Sequence, residues 1–576
     1  MIKVWKKVTQ LLNKKQRNRV ILIFVMMILG AFLEMIGVSL MIPLVSAIMQ
    51  PNIIEENVYV GKVCAWFGIS SNKSFMIICI VTLIAVYIVK DLYLLLEYYV
   101  QYRFIYNNQL ALQETILHSY LKRPYVYYLQ IQTGEIIQVI QKDVELTFAL
   151  LATMLNFFTE SVVAVTLIIT IFIINPTITA FTALMMAITL FVIAKVIKPI
   201  LKKEGIAYRK YGAKTNQWLI QAINGIKEFK VTNKEMFFEQ NFSIGGRKMI
   251  CAEKRRAVWN NAPRLLIEMI TICSVLSLIA ILIARGEEIG SLIPALSAFA
   301  MAAVKLLPSA NRIATAINSI AFQESSLDKL LDNIKALDEI KEESRDNQIS
   351  VFDFKKEILL KDITFLYPNT ESCVLEQANM SVPIGMSVGI IGASGAGKTT
   401  VVDIMLGLLK PQMGQVLADG VNIQNAYHAW LSHVGYIPQM IFMLDDTIRG
   451  NVAFGIDEKE INDHNVWKAL EEAQLKEFVQ SLPDGLDTKI GERGIRLSGG
   501  QRQRIGIARA LYTDPQLLIF DEATSALDNE TESAIMESIN ALHGKKTMVI
   551  IAHRLTTIEG CDIVYKVENG KIERER

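Results

Sequence analysis

Residues 387–409 read SVGIIGASGAGKTTVVDIMLGLL, and the order of their parts decides how the C-terminal portion of the chain folds. The stretch predicts a short buried strand, a glycine-rich loop and a helix. Gly392, Gly397, Lys398 and Thr399 fit the pattern GxxxxGK[ST]. Glycines let successive backbone N–H groups wrap phosphate oxygens, and the helix N-terminus adds the positive end of its dipole. In this setting Lys398 reaches the outer phosphates and the Thr399 hydroxyl ligates Mg²⁺. The expected nucleotide cradle is therefore Gly392, Ala393, Ser394, Gly395, Ala396, Gly397, Lys398, Thr399 and Thr400.

Working outward, the apolar runs from residue 350 onward are short (EILLKDITFLY, QLLIFDE, TMVIIAH) and alternate with helical patterns. That alternation predicts an α/β domain on a largely parallel sheet over 350–576. QLLIFDEATSALD (516–528) is a buried strand that delivers two adjacent carboxylates at its end. Asp521 suits the Mg²⁺, directly or through water, and Glu522 suits a base that polarises the attacking water. Strand ends capped by acids also occur without function, but here the apolar run is the delivery platform the chemistry needs.

The other half is greasy. Six apolar stretches near 20–48, 75–96, 147–174, 177–201, 265–284 and 289–307 can each cross a bilayer, which takes about 20 helical residues. The basic N-terminal arm and the basic connections 97–146 and 202–264 place both termini and those connections in the cytoplasm by the positive-inside rule. The start, MIKVWKKVTQLLNKKQRNR, predicts an interfacial helix leading into a retained first span. On the outer side, Tyr59, Val63, Trp66 and Phe67 in 51–74 fit a short amphipathic helix, or equally a loop with anchoring aromatics. The expected division is a six-span all-α transmembrane domain over 1–320, a charged linker over 321–349 and the α/β P-loop ATPase domain over 350–576.

Composition agrees with a membrane protein: 52% hydrophobic residues and a mean hydropathy of +0.32 in 576 residues. The net charge of +2 is uninformative as a total. Six cysteines without a CxxC pair, and six histidines without ligand spacing, read as neither a disulfide framework nor a metal site. Basic segments are explained by topology, so nucleic acid is not an expected partner.

LSGGQRQR (497–504) is the decisive addition. With it the chain resembles the ATP-binding cassette (ABC) family along its whole length, in the half-transporter exporter branch that fuses six membrane helices to one ATPase domain. The resemblance implies roles for further residues. Tyr367 in FLYPN matches the aromatic that stacks on adenine, and Gln439 in YIPQ the glutamine that senses Mg²⁺ and links ATPase to membrane helices. Ser498, Gly499, Gly500 and Gln501 match the signature loop that binds the γ-phosphate held by the other subunit. Asp528 matches the loop between the two sites, and His553 the switch histidine on the γ-phosphate. One set of motifs per chain then implies a homodimer with ATP and Mg²⁺ in two shared sites. The cytoplasmic helix ends near 121–140 and 216–235 would dock on the ATPase domains and convert their closure into outward opening.

Cargo is signalled by cations in the spans. Lys90 interrupts VYIVKDLYLLL, Arg264 opens the fifth span and Lys305 lies in the sixth. Each has a plain alternative: Lys90 snorkels, Arg264 pairs with Glu268 at i,i+4, and Lys305 is wetted at the inner membrane edge. Three cations doubled by symmetry favour a basic cavity and an anionic cargo. LLPSANRI (306–313), APRLLIE (262–268) and the outer segment are similar to the bacterial flippases for lipid-linked oligosaccharides. That resemblance implies a polyprenyl-pyrophosphate-linked oligosaccharide, an anionic lipid-linked substrate, crossing the bacterial inner membrane. Two of the three positions are lysine where that family leads one to expect arginine, and lysine lacks the bidentate fork for phosphate. The alternative reading is an exporter of peptides or amphipathic drugs.

Overall fold

The computed structural model describes residues 2–39, 66, 71–174, 184, 187–188, 191–284, 289–342, 354–370, 372–522, 536–537, 539–552 and 558–576. They divide into two compact units, one of Met1–Arg123 and Ile131–Lys341, the other of Pro124–Gln130 and Glu342–Arg576.

The first unit is helical. Its elements are α1 (Ile2–Leu11), α2 (Lys14–Ser39), α3 (Asn72–Leu121), α5 (Thr133–Ile137), α6 (Val144–Ile174), α7 (Lys198–Asn224), α8 (Ile226–Thr232), α9 (Glu235–Ala284) and α10 (Ile289–Glu342); α4 (Tyr125–Tyr128) belongs to the second unit. Among the described residues three stretches are long and apolar enough to span a membrane: Lys14–Leu33, Lys73–Leu121 and Thr133–Thr166. The spans expected over 20–48 and 177–201 fall partly on residues outside the described set, as does nearly all of the outer segment 51–74, while 265–284 and 289–307 are helical within α9 and α10. α1 is amphipathic as its sequence predicts: Val4 and Val8 are buried, and Trp5 meets Phe158 edge to face. Lys7 donates to Asp328 at 2.6 Å, and Lys202 reaches Glu324 at 3.0 Å, so α1 and α7 both hold the C-terminal part of α10. The segment 321–349, read as a linker, is helical as far as Glu342 and buries Leu327 and Leu330.

Two packing details show how long helices are kept in contact. Pro263 inside α9 has no N–H to offer the carbonyl four residues back. That carbonyl, on Trp259, accepts from the buried Asn318 Nδ2 of α10 at 3.3 Å, so the freed group is paired by a neighbouring helix. Gly205 of α7 meets the α10 backbone so closely that a Cβ there would lie 2.0 Å from the Phe322 carbonyl oxygen. Small residues let backbones approach where apolar burial cannot drive association. Between α5 and α6 a π-helical turn, Gln138–Asp143, carries the fully buried Asp143, which accepts from Arg209 Nε at 2.8 Å.

The second unit holds two sheets. One is antiparallel, in the order β2 (Leu375–Pro383), β1 (Glu357–Phe365), β4 (Met413–Ala418), β5 (Val421–Asn422). The other runs β10 (Lys571–Arg574), β9 (Ile563–Glu568), β3 (Ser387–Ile391), β8 (Thr547–Ile551), β7 (Leu517–Asp521), β6 (Val434–Ile437). Only the β10–β9 edge of this second sheet is antiparallel. Its inner strands β7 and β8 are buried throughout, which is why their sequences are continuous apolar runs rather than alternating ones. A core of Phe354, Phe365, Trp430 and Ile390 fills the space beside α11 (Lys398–Met405), and Val126 of α4 packs on its margin. A second core joins α12 (Ile448–Val452), α13 (Asp463–Glu472), α14 (Lys476–Ser481) and α15 (Gly499–Leu511).

Gly205→Ala is expected to destabilise the protein by about 1–3 kcal/mol, since backbone rather than a flexible side chain must move. Gly246→Ala, with nothing within 4 Å of the added Cβ, is the control and should leave the thermal midpoint unchanged or raised. Thermal unfolding in detergent measures both, and equal losses would contradict the close approach of α7 to α10.

Candidate nucleotide site

β3 ends at Ile391 and the chain turns through Gly392–Gly397 into α11. Gly392 has φ +152°, and a Cβ there would stand 2.4 Å from the Val567 carbonyl of β9, so the loop can start only on glycine. Gly397 caps α11 in the left-handed region at φ 103°. Lys398 is buried and folds its Nζ onto the loop, donating to the carbonyls of Gly392 at 2.9 Å and Ala393 at 3.0 Å. Thr400 lies one residue beyond Thr399, and its hydroxyl is 3.0 Å from that of Tyr367, whose ring is also edge to face with Phe365. The aromatic read as the adenine platform thus stands at the mouth of the phosphate loop.

β7 brings Asp521 to the same place. Its Oδ1 accepts from Thr399 at 3.4 Å and its Oδ2 from the Tyr436 hydroxyl at 3.3 Å. Burial raises the Asp521 pKa, and the charge of Glu522 next to it adds to the effect. Burial first, then Asp521, raises the Tyr436 phenol strongly, so it stays a proton donor. A hydroxyl and a carboxylate this close form a hard oxygen donor set, which fits Mg²⁺. Glu522 has φ 50°, an uncommon conformation for a residue with a Cβ, and its side chain accepts from Gln439 Nε2 at 2.7 Å. Register explains the meeting: β6 and β7 are parallel neighbours with Ile437 opposite Phe520, so the residues just past each strand leave on the same edge.

The signature stretch stands on its own. Ser498 caps α15 with a reciprocal box, its Oγ accepting from Gln501 N at 3.2 Å while Gln501 Oε1 accepts from Ser498 N at 2.8 Å. Gly499 and Gly500 form the first turn. Among the described residues no hydrogen bond joins Ser498–Gln501 to Gly392–Thr400. Asp528 and His553 lie outside the described residues.

Tyr436 and Asp403 are what sequence reasoning missed. Tyr436 sits in the same YIPQ string as Gln439 and could have been found from the strand register. Asp403 is buried on α11, and burial together with the charge of Asp521 moves its pKa up to about 6. α4 stands close by: burial first, then the charges of Asp403 and Tyr367, raises the Tyr125 phenol.

The cations read as cargo contacts are not brought together by anything on the described side chains. Lys90 pairs with Asp91 at 3.0 Å and lies 4.5 Å over the Tyr87 ring. Arg264 is exposed, and no ion pair links it to Glu268. Lys305 lies on α10, with its side chain outside the described set. Arg312, further along α10, pairs with Glu160 of α6 at 2.5 Å.

A model of the ABC transporter transmembrane region matches residues 20–302, and a model of the ABC transporter ATPase region, described simply as "ABC transporter", matches 375–525. The ATP-dependent lipid A-core flippase of Idiomarina loihiensis is 42% identical over 217 residues, 38% of this chain and 37% of that protein. The uncharacterized ABC transporter ATP-binding protein YwjA of Bacillus subtilis is 40% identical over 222 residues, 38% of each chain. ABC transporter B family member 21 of Arabidopsis thaliana is 32% identical over 318 residues, 55% of this chain and 23% of that one. The chain therefore spans less than two fifths of the length of each of these relatives. In fold it is similar to a bacterial Atm1-family ABC exporter with ATP bound, with a TM-score of 0.77 and 22% identity over 97% of this chain and 95% of that one.

The pKa of Asp403 gives a pH prediction. Raised from 3.8 to about 6, its carboxyl holds a proton in the folded state that the unfolded chain has released. Its contribution is therefore present below about pH 4 and lost as pH rises through 6. In nucleotide-free protein, the thermal midpoint of Asp403→Asn should gain on that of the unsubstituted protein between pH 4 and 6.5 and hold constant above. A difference that does not change with pH would contradict the assignment.

Proposed function

Starting from the premise that the chain belongs to the ABC transporters, we propose that two copies form an ATP-driven exporter that flips an anionic glycolipid across the bacterial cytoplasmic membrane. The observation that supports the motor is the convergence of Thr399, Asp521, Gln439 and Glu522 at the ends of adjacent strands beside the Gly392–Thr400 loop.

In this reading the loop amides and Lys398 hold the β- and γ-phosphates, and the Lys398 ammonium exchanges its carbonyl partners for phosphate oxygens. Bound Mg²⁺, held by Thr399 and Asp521 with Gln439 nearby, would neutralise charge on those oxygens. Glu522 orients the attacking water and accepts its proton, with Gln439 fixing the carboxylate. His553 contacts the γ-phosphate, Asp528 lies between the two sites, and Tyr367 stacks on adenine. Ser498, Gly499, Gly500 and Gln501 close on the γ-phosphate held by the second copy, which fits a capped helix end that makes no bond to its own phosphate loop. Closure reaches the membrane helices through α4 and through α8, whose Ile226 and Val231 are exposed.

For cargo, the lipid A-core flippases among the relatives favour a glycolipid. We infer the finer class, a polyprenyl-pyrophosphate-linked oligosaccharide, from Arg264 with Lys90 and Lys305. Arg264 is the strongest of the three, being exposed and not paired with Glu268.

Glu522→Gln should bind ATP with unchanged affinity and lower hydrolysis by at least about a hundredfold, the scale of a general base; turnover at the normal rate would reject Glu522. In proteoliposomes carrying labelled lipid-linked oligosaccharide, neutralising Lys90, Arg264 and Lys305 together should lower flipping at least about tenfold while basal ATPase persists. Undiminished flipping would reject the basic cavity, and stimulation of ATPase by peptides or amphipathic drugs alone would favour the other export class.

A further inference from the structure

Arg509 stands near the end of α15, the helix that begins with the signature residues, and it is held without a carboxylate among the described residues. Its Nε donates to the Asn451 carbonyl at 2.9 Å, Nη1 to the Phe442 carbonyl at 2.8 Å and Nη2 to Asn451 Oδ1 at 3.2 Å. The guanidinium also covers the Phe454 ring at 4.3 Å. Asn451 is fully buried and ties the same segment to itself, donating to the carbonyls of Leu444 and Thr447 and accepting from Leu444 N at 2.9 Å. A third point of attachment is steric: a Cβ on Gly506 of α15 would stand 2.3 Å from Ile441 Cδ1.

The clamped segment begins at Gln439, whose side chain bonds Glu522. One end of a single body therefore touches the proposed base, and the other end is the signature turn. A half-buried guanidinium with no carboxylate partner among the described residues is a poor device for stability alone, because an apolar side chain of similar volume costs no desolvation. Burial holds it below its usual value, at about 10, so it is still charged at neutral pH. What it supplies is a rigid fork that fixes two backbone carbonyls in one geometry.

We propose that Arg509 is a positioning residue: it locks the segment from Gln439 to Asn451 onto the signature helix, so that movement at Gln439 is delivered to Ser498. This rests on the reading in which the signature acts on a nucleotide held by a second copy. Loss of the lock leaves the phosphate loop and Tyr367 untouched but lets the signature turn close out of step with Glu522.

The test uses full-length protein in nanodiscs and reads ATP hydrolysis, binding of a fluorescent ATP analogue and thermal midpoint. Arg509→Met should lower kcat about tenfold or more, with the nucleotide Kd and KM within about threefold of normal. Arg509→Lys keeps charge without the fork and should fall between. Gly506→Ala, which does not touch the guanidinium, should lower kcat by displacing Ile441, and adding Ile441→Ala should restore it. Normal kcat in Arg509→Met, or full rescue by Arg509→Lys, overturns the proposal. So does a fall of kcat, nucleotide affinity and thermal midpoint together, the mark of a merely structural role. A mixed dimer of one Lys398→Ala copy and one Ser498→Ala copy separates the premise from the proposal. Recovered hydrolysis supports two-copy sites; an inactive mixture overturns that reading and the relay with it.

Discussion

The hydrogen bond from Gln439 Nε2 to Glu522 Oε2, 2.7 Å long, joins the ends of two parallel strands at the point where both leave the sheet. Its position is dictated by the buried ladder of β6, β7 and β8, which leaves neither strand freedom to slip by a residue without turning its apolar side chains out of the core. Because the ladder is fixed, the carboxylate of Glu522 is fixed as well, even in a left-handed backbone conformation that a residue with a Cβ seldom adopts. Asp521, one residue earlier, points to the other side and meets Thr399 and Tyr436. The left-handed turn at Glu522, just past the end of β7, thus sends two adjacent carboxylates to different partners.

The helical unit is governed by a different constraint. Close backbone approach and paired polar groups keep its long helices together. Gly205 against Phe322, Asn318 on the carbonyl freed by Pro263, and Asp143 with Arg209 are three such contacts. Two of them converge on α10, as does the Lys7–Asp328 pair from α1. The long helix that leads toward the ATPase sequence is therefore held by α1, α7 and α9 within its own unit.

Much of the nucleotide site was legible because its chemistry leaves few residue types free to vary. A loop that wraps phosphate needs glycines at positive φ, and Gly392, Gly395 and Gly397 have it. Asp403 and Arg509 were not legible, since each acts through a neighbour distant in sequence and belongs to no short pattern, whereas Tyr436 lies in the YIPQ string and could have been read from the strand register. Pro124–Gln130, which joins the second unit, falls within the 121–140 stretch expected to dock on the ATPase domain, and the packing of Val126 on the core margin gives it its place. The helical course of 321–342 was legible in a charged, helix-forming sequence, where Leu327, Leu330 and Leu331 recur at helical spacing. Glu160 as the partner of Arg312 could not, lying as it does on another helix.

Charge pairing also separates the membrane cations from one another. Each charge within a span costs about 2.5 kcal/mol or more on insertion scales unless it is paired or wetted. Lys90 meets that cost through Asp91 and the Tyr87 ring, and Arg312, beyond the expected span 289–307, has Glu160, so both already have an account that requires no cargo. Arg264 stands next to the helix-breaking Pro263, where backbone is held by Asn318, and its nearest acidic residue at helical spacing, Glu268, does not bond it. In general a planar guanidinium fork grips a phosphate more specifically than the ammonium of a lysine at the same place. The described side chains thus separate two cations that have acidic partners of their own from one that forms no ion pair with Glu268.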